Sequence, residues 1–348
     1  MADVDDIIRF IFTGDRGAIP RNATHFTTHE SLSVIPRNSF YNHRKIIELI
    51  CHANVKRIGI STCMWSKTLK RLEIEGVEVV EQNAFWGCSN LENAEFPKVK
   101  IVRQLAFSDC ISLGYIDLPS IKIVENNAFT SCELIKYANF GKDLESLRAK
   151  SLAGCHNLER ITIPLKHDVI SSNDVFEECI NLKYVHLIEE EVLRETIDAL
   201  LLDEWRNDMN QEVDVITQIL PYSHPGHPGG LAVPVASETT VAIREWINSV
   251  LSKIIQYKAM HRQLLKEAAP ILRQSLRKNI ITNNVLSFLE LPSHTFDGEE
   301  NEEVGSYFLG DDSDGESNNM LEEEDNREET VGDDGRERRS GRKRRRES

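Results

Sequence analysis

Ala84-Phe85-Trp86-Gly87-Cys88, Ala106-Phe107-Ser108-Asp109-Cys110 and Ala128-Phe129-Thr130-Ser131-Cys132 are one block written three times at a spacing of 22 residues. Looser copies follow at Ser151-Leu152-Ala153-Gly154-Cys155 and Val175-Phe176-Glu177-Glu178-Cys179, and degenerate ones precede at Ser39-Phe40 and Thr62-Cys63. Positions 40, 63, 85, 107, 129, 152 and 176 thus mark seven turns of a repeat. A fixed period on the order of 20 to 50 residues is the mark of a stacked architecture, in which one repeat cannot bury its apolar face alone.

Between the blocks a second spacing returns: Leu91, Ala94, Phe96 and Pro97; Leu113, Ile116, Leu118 and Pro119; Leu158, Ile161, Ile163 and Pro164; Leu182, Val185 and Leu187. Alternation with a period of two is the pattern of a half-buried strand, and the proline, which has no amide hydrogen to give, ends the ladder. The reading is one short parallel strand per turn. The chain then returns inward through a short helical turn, as at Ile121, Ile123 and Val124 leading into Ala128-Phe129.

The combined pattern, C-x-x-L-x-x-I-x-L-P followed by I-x-x-I-x-x-x-A-F-x-x-C over residues 30 to 190, resembles the BspA-like leucine-rich-repeat family. The flanks, Glu204 to Asn210 and Asn284 to Pro292, resemble those of such proteins from diatom genomes. The resemblance implies a protein-interaction module. Some members are surface adhesins carrying secretion signals, whereas here Asp3, Asp5 and Asp6 precede the apolar cluster Ile7 to Phe12 in place of a positive n-region.

The expected fold is therefore α+β: a right-handed leucine-rich-repeat solenoid of parallel short strands, with a helical C-terminal cap and a disordered tail. Residues 1–30 are read as an N-terminal strand region and 31–188 as the solenoid of about seven repeats. Residues 189–292 are read as the cap. In it, Ile197, Leu200, Leu201, Trp205 and Met209, and then Ile243, Trp246, Ile247, Val250, Leu251 and Ile254, have helical spacing and predict two amphipathic helices. The proline- and glycine-rich stretch 221–234 between them is a loop. Residues 293–348 are an acidic, then basic tail that lacks the apolar content to fold.

Charge narrows the function further. The net charge of -15 is local, because Asp297 to Asp334 holds 17 acidic residues against the single Arg327. The preceding 296 residues carry 37 acidic and 32 basic side chains, and no basic stripe of the kind that coats phosphates is visible along the sequence. Nucleic acid is not expected on the folded part. It remains open for the terminal block, where Arg342, Lys343, Arg344, Arg345 and Arg346 read as a nuclear import signal or as an anchor for RNA, phosphate or the acidic tail. No apolar run approaches the roughly 20 residues that span a bilayer, so no membrane is expected. The location expected is intracellular, nuclear or nucleo-cytoplasmic.

Catalytic and metal chemistry find little footing. Stacking would place Cys88, Cys110, Cys132, Cys155 and Cys179 in a straight row about 4.8 Å apart, which cannot converge on a tetrahedral ion, and cysteine is a compact core filler. His224 and His227 lie in the loop without a neighbouring ligand. No Gly-rich phosphate loop, G-x-S-x-G elbow or H-E-x-x-H helix is present. No enzyme activity, cofactor or metal is expected.

What remains is a binding surface. If Ile116 and Leu118 point inward, Tyr115 and Asp117 point out. The same alternation aligns Arg71, Asn93, Tyr115, Tyr137, Arg160 and Tyr184 in one column, and Glu73, Glu95, Asp117, Asn139, Thr162 and His186 beside it. Tyrosine and arginine are enriched at interface centres, which makes Tyr115, Tyr137, Arg160 and Tyr184, with Asp117 and His186, the expected contacts to an unidentified partner protein. The competing reading is that these side chains support the strand ladder, at roughly 0.2–1 kcal/mol per cross-strand pair. A regulator acting through its charged tail is the alternative of a different class, and a surface adhesin is a third.

Overall fold

The computed structural model describes residues 7–218 and 237–275. It is a parallel β-solenoid. One ribbon of strands runs through Arg9–Phe12, His25–Thr28, Glu48–Ile50, Arg71–Glu73 and Asn93–Glu95, and continues as Tyr115–Leu118, Tyr137–Phe140, Arg160–Pro164 and Tyr184–Ile188. Seven coils, each starting on this ribbon at residues 25, 48, 71, 93, 115, 137 and 160, carry one ring position apiece, from Phe40 to Phe176. The N-terminal apolar cluster adds the strand Arg9–Phe12 in parallel register, Phe10 opposite Phe26 and Phe12 opposite Thr28.

Six of the seven coils make two strands instead of the one expected. A second parallel ribbon joins Val34–Ile35, Arg57–Ile58, Val79–Val80, Ile101–Val102, Ile123–Val124 and Ser146–Leu147, with a bridge from Leu147 to Ile170 in the last coil. Strands of two residues are too short to show alternation. The return through the A-F-x-x-C block is not helical either. Left-handed residues flank the ring position, as at Asn83 and Gly87 around Phe85, Leu105 and Asp109 around Phe107, and Asn127 and Ser131 around Phe129. They turn alternate amides along the solenoid: Asn83, Phe85 and Gly87 donate to Gln104, Ala106 and Ser108 of the next coil, while Ala84, Trp86 and Cys88 bond back within their own. The corner thereby extends the inter-coil ladder, which leaves few buried amides without a partner.

The core is one continuous stack. Phe85, Phe107 and Phe129 lie face to face at centroid distances of 5.0 and 5.3 Å. The cysteine row sits beside them fully buried, and each thiol also donates to the ring-position carbonyl one coil back: Cys88 to Cys63, Cys110 to Phe85, Cys132 to Phe107, Cys155 to Phe129 and Cys179 to Leu152, at 3.1–3.3 Å. Ser66 does the same with its hydroxyl to Phe40 at 2.6 Å. Cysteine here is a filler that also supplies a donor. Burial pushes all seven thiols up, Cys155 to about 12. The unfolded chain releases these protons near pH ~8.5 and the folded chain holds them, so this contribution to stability is full below that pH and is lost as pH rises toward the folded values. At about pH 8 a water-soluble thiol reagent is expected to label none of the seven cysteines before denaturant is added and all of them afterwards. Rapid labelling of several in the native protein would show that the coils stand open.

Beyond residue 188 the chain becomes helical: α1 Glu190–Asp198, α2 Asp203–Gln218 and α3 Ser237–Ser275. The first apolar run expected to form one helix is two, broken across Leu200 to Leu202, where the Arg206 guanidinium takes the Leu200 carbonyl and the Asp203 carboxylate. α2 and α3 pair through Trp246 Nε1 to the Glu212 carbonyl at 3.1 Å, Lys253 to Glu212 at 2.7 Å and Tyr257 to Asp208 at 2.8 Å. Leu193, Ile197, Trp205, Met209, Ile243 and Val250 join the solenoid core, and Thr240 accepts the amide of Phe176 at 3.1 Å. The seventh coil is thus held by side chains of the helices.

Candidate functional site

The outward face of the first ribbon is set by strand alternation, and its columns fall where the sequence places them. Parallel register puts Tyr115 opposite Tyr137, Tyr137 opposite Arg160, and Arg160 opposite Tyr184. In the adjoining column Asp117 faces Asn139, Asn139 faces Thr162, and Thr162 faces His186. Tyr115, Tyr137 and Tyr184 are 40%, 51% and 50% exposed, while Ile116, Leu118, Ala138 and Phe140 beneath them are buried.

Some of these groups hold one another. The Arg160 guanidinium lies 5.3 Å from the centre of the Tyr184 ring, a cation–π distance. Asn139 donates to Asp117 at 2.7 Å, and His186 lies 3.6 Å from Glu190 at the start of α1. At the other end of the ribbon Arg71 is clamped between Glu48 at 3.6 Å and Glu73 at 2.5 Å. Glu73 and Glu95 give these earlier strands an acidic edge, which Asp117 continues into the first tyrosine strand. The ribbon is also interrupted between Asn93–Glu95 and Tyr115–Leu118, where Gly114 takes the place held by Lys70, Glu92 and Lys136 in neighbouring coils. A Cβ at Gly114 would meet nothing within 4 Å, so there is an open notch just ahead of Tyr115.

One part of this surface escaped the sequence reading. Ile111, Leu134 and Ile180 are 40%, 50% and 60% exposed. They stand in the corner segments that lead into Tyr115, Tyr137 and Tyr184, whereas the segment before Arg160 holds His156 and Asn157. The exposed apolar and aromatic residues therefore coincide coil by coil. Alternation gives no signal for them, because they lie outside the strands.

The family model of the BspA type leucine rich repeat region matches residues 20–113 and 78–195, in six copies. The chain belongs to the BspA-type leucine-rich-repeat family. Its solenoid is similar to a leucine-rich repeat protein of T. pallidum, at 19% identity and a TM-score of 0.40 over 57% of this chain and 85% of that one. It is also similar to one from Bacteroides ovatus, at 23% identity and 0.40 over 53% and 43%, and to one from Eubacterium ventriosum, at 19% and 0.35 over 42% of each. The match thus spans less than half the length of the latter two. No curated protein matches the sequence.

In this BspA-type chain no helix among the described residues is long and apolar enough to cross a membrane. Among the same residues no cluster of three or more His, Cys, Asp or Glu side chains is arranged to hold a metal ion. The loop 221–234 with His224 and His227, the acidic stretch, and Arg342, Lys343, Arg344, Arg345 and Arg346 lie outside the described residues.

Proposed function

We propose that this protein is a non-enzymatic protein-binding module whose contact surface is the first ribbon from the fifth coil onward, with Tyr115, Tyr137, Arg160 and Tyr184 at its centre. The observation that carries this reading is the contrast between the two flanks of the solenoid. Around the second ribbon the charges are engaged coil to coil: Arg57 with Glu81, Lys100 with Glu78, Arg103 and Arg148 with Glu125, and Lys122 with Glu145. The tyrosine-bearing strands present half-exposed aromatic rings instead, flanked by Ile111, Leu134 and Ile180.

Ladder support explains the Arg160–Tyr184 contact but not the exposed isoleucines and leucine, which stabilise no strand. A rigid aromatic row with a polar edge loses little entropy on docking, and such anchors carry most of the affinity at interfaces. The double substitution Tyr115→Ala with Tyr184→Ala is expected to weaken capture of the protein partner at least tenfold, measured by quantitative affinity capture, with a nearly unchanged melting temperature. Undiminished capture would leave the rings as ladder supports and remove this face from the account.

A further inference from the structure

The structure brings together basic residues that stand apart in the sequence. Parallel register places His25 beside Glu48 and Glu48 beside Arg71. The amides of Ile47 and Lys70 extend that alignment backward by bonding to Thr24 and Ile47. Carried back to the preceding corner, the same register stacks Arg21, Arg44 and Lys67 in one column, with Lys45 and Lys70 alongside. Corresponding positions in later coils are Ser89, Ile111, Glu133 and His156, so the basic column is confined to the N-terminal end. None of these five cations makes an ion pair among the described residues; Lys67 only overlies the Trp65 ring at 5.8 Å.

A cleft of about 310 Å³ opens at this corner, lined by Ile8, Asn22, Thr24, Ile47 and Thr68, with Arg44 and Lys45 on its wall. The Thr24 and Thr68 hydroxyls are already engaged, donating to the carbonyls of Ile8 at 3.3 Å and Ile46 at 2.7 Å. The donors left for a ligand are the guanidinium, the ammonium and the Asn22 amide, with Ile8 and Ile47 as apolar lining beside them.

We propose that this corner is a binding site for a small, soluble compound carrying two or more phosphate groups. The volume lies at the lower end of the range for small-molecule sites. Coils are stacked about 4.8 Å apart, so the cations recur at that step across three coils. A phosphate in the cleft meets Arg44 and Lys45 together, a second one linked to it reaches past the cleft edge to Arg21 or Lys67 one coil away, and each arginine can hold a phosphate through two parallel hydrogen bonds. The site is independent of the tyrosine face, which begins in the fifth coil.

The test is titration calorimetry of the full chain with inorganic tripolyphosphate at low ionic strength. Binding is expected with the native chain, at least tenfold weaker with Arg44→Gln and Lys45→Gln together, and unchanged with the exposed pair Lys136→Gln and Lys183→Gln. Because Arg44 and Lys45 touch no other side chain through a polar contact, the melting temperature of the first variant should match the native one. Absence of binding, or equal loss in both double variants, would overturn the assignment. Sedimentation with phosphoinositide vesicles that tripolyphosphate fails to displace would also overturn it, since that result requires a membrane surface in place of a cleft-sized ligand.

Discussion

Replacing Phe107 by Ala is expected to cost about 3–5 kcal/mol of stability, among the largest losses available from one side chain in this protein. The ring is sandwiched between Phe85 and Phe129, with interplanar angles of 12° and 4°, and meets the edge of Phe96 at 5.1 Å. Its loss would remove the buried area of one aromatic side chain and break the stack on both sides. Coils held to a fixed step by their backbone ladders cannot collapse to fill the hole. Denaturant unfolding should therefore show a lower midpoint. A loss under about 1 kcal/mol would mean that the ring does not sit between the coils.

Gly141→Ala should come close to that effect for the opposite reason. An added Cβ would lie 1.8 Å from the Pro119 carbonyl oxygen and 2.5 Å from its carbon, and both are backbone atoms of the preceding coil. No rotamer relieves such a contact, so the two coils must part and give up the hydrogen bond from the Gly141 amide to Leu118. The expected cost is about 3 kcal/mol, at the upper end of what overpacking does. Gly114→Ala provides the control: its Cβ would enter open space, and the expected change is neutral or a gain of about 0.4–1 kcal/mol from a stiffer unfolded chain. Equal melting temperatures for the two variants would show that the coil spacing at residue 141 is wider than described.

The contrast between these two glycines also shows where sequence stops being informative. Gly141 stands where neighbouring coils have Pro97, Pro119 and Pro164, and Gly114 where they have Lys70, Glu92 and Lys136, yet only stacking decides that the first abuts a backbone and the second faces open space. The 22-residue period was legible because Phe85, Phe107 and Phe129 recur with Cys88, Cys110 and Cys132 at fixed offsets. The outward columns were legible for the same reason, since Tyr115 and Tyr137 follow directly from strand alternation. The second ribbon was not, because pairs such as Val79–Val80 form strands through inter-coil bonding alone. Asparagine at 38, 83 and 127 hints at left-handed corners, but Leu105, Trp65 and Lys150 adopt the same conformation under the constraint of the ladder. The helix break at Leu200 was hidden by an apolar spacing that runs through it. Arg21, Arg44 and Lys67 form no cluster in any local window, so a search along the sequence for a basic stripe passes over them.

The inter-coil hydrogen bonds have a temporal consequence. The side-chain bonds that tie successive coils of the seven together join residues only 20 to 27 positions apart. The closure entropy of each step is thus that of a short loop, and it does not grow as the solenoid lengthens. A chain leaving the ribosome at roughly 5–20 residues per second delivers a new coil every few seconds, and each one finds its docking template already formed. The solenoid can therefore be laid down from Phe12 onward while the helices that hold its seventh coil are still being translated.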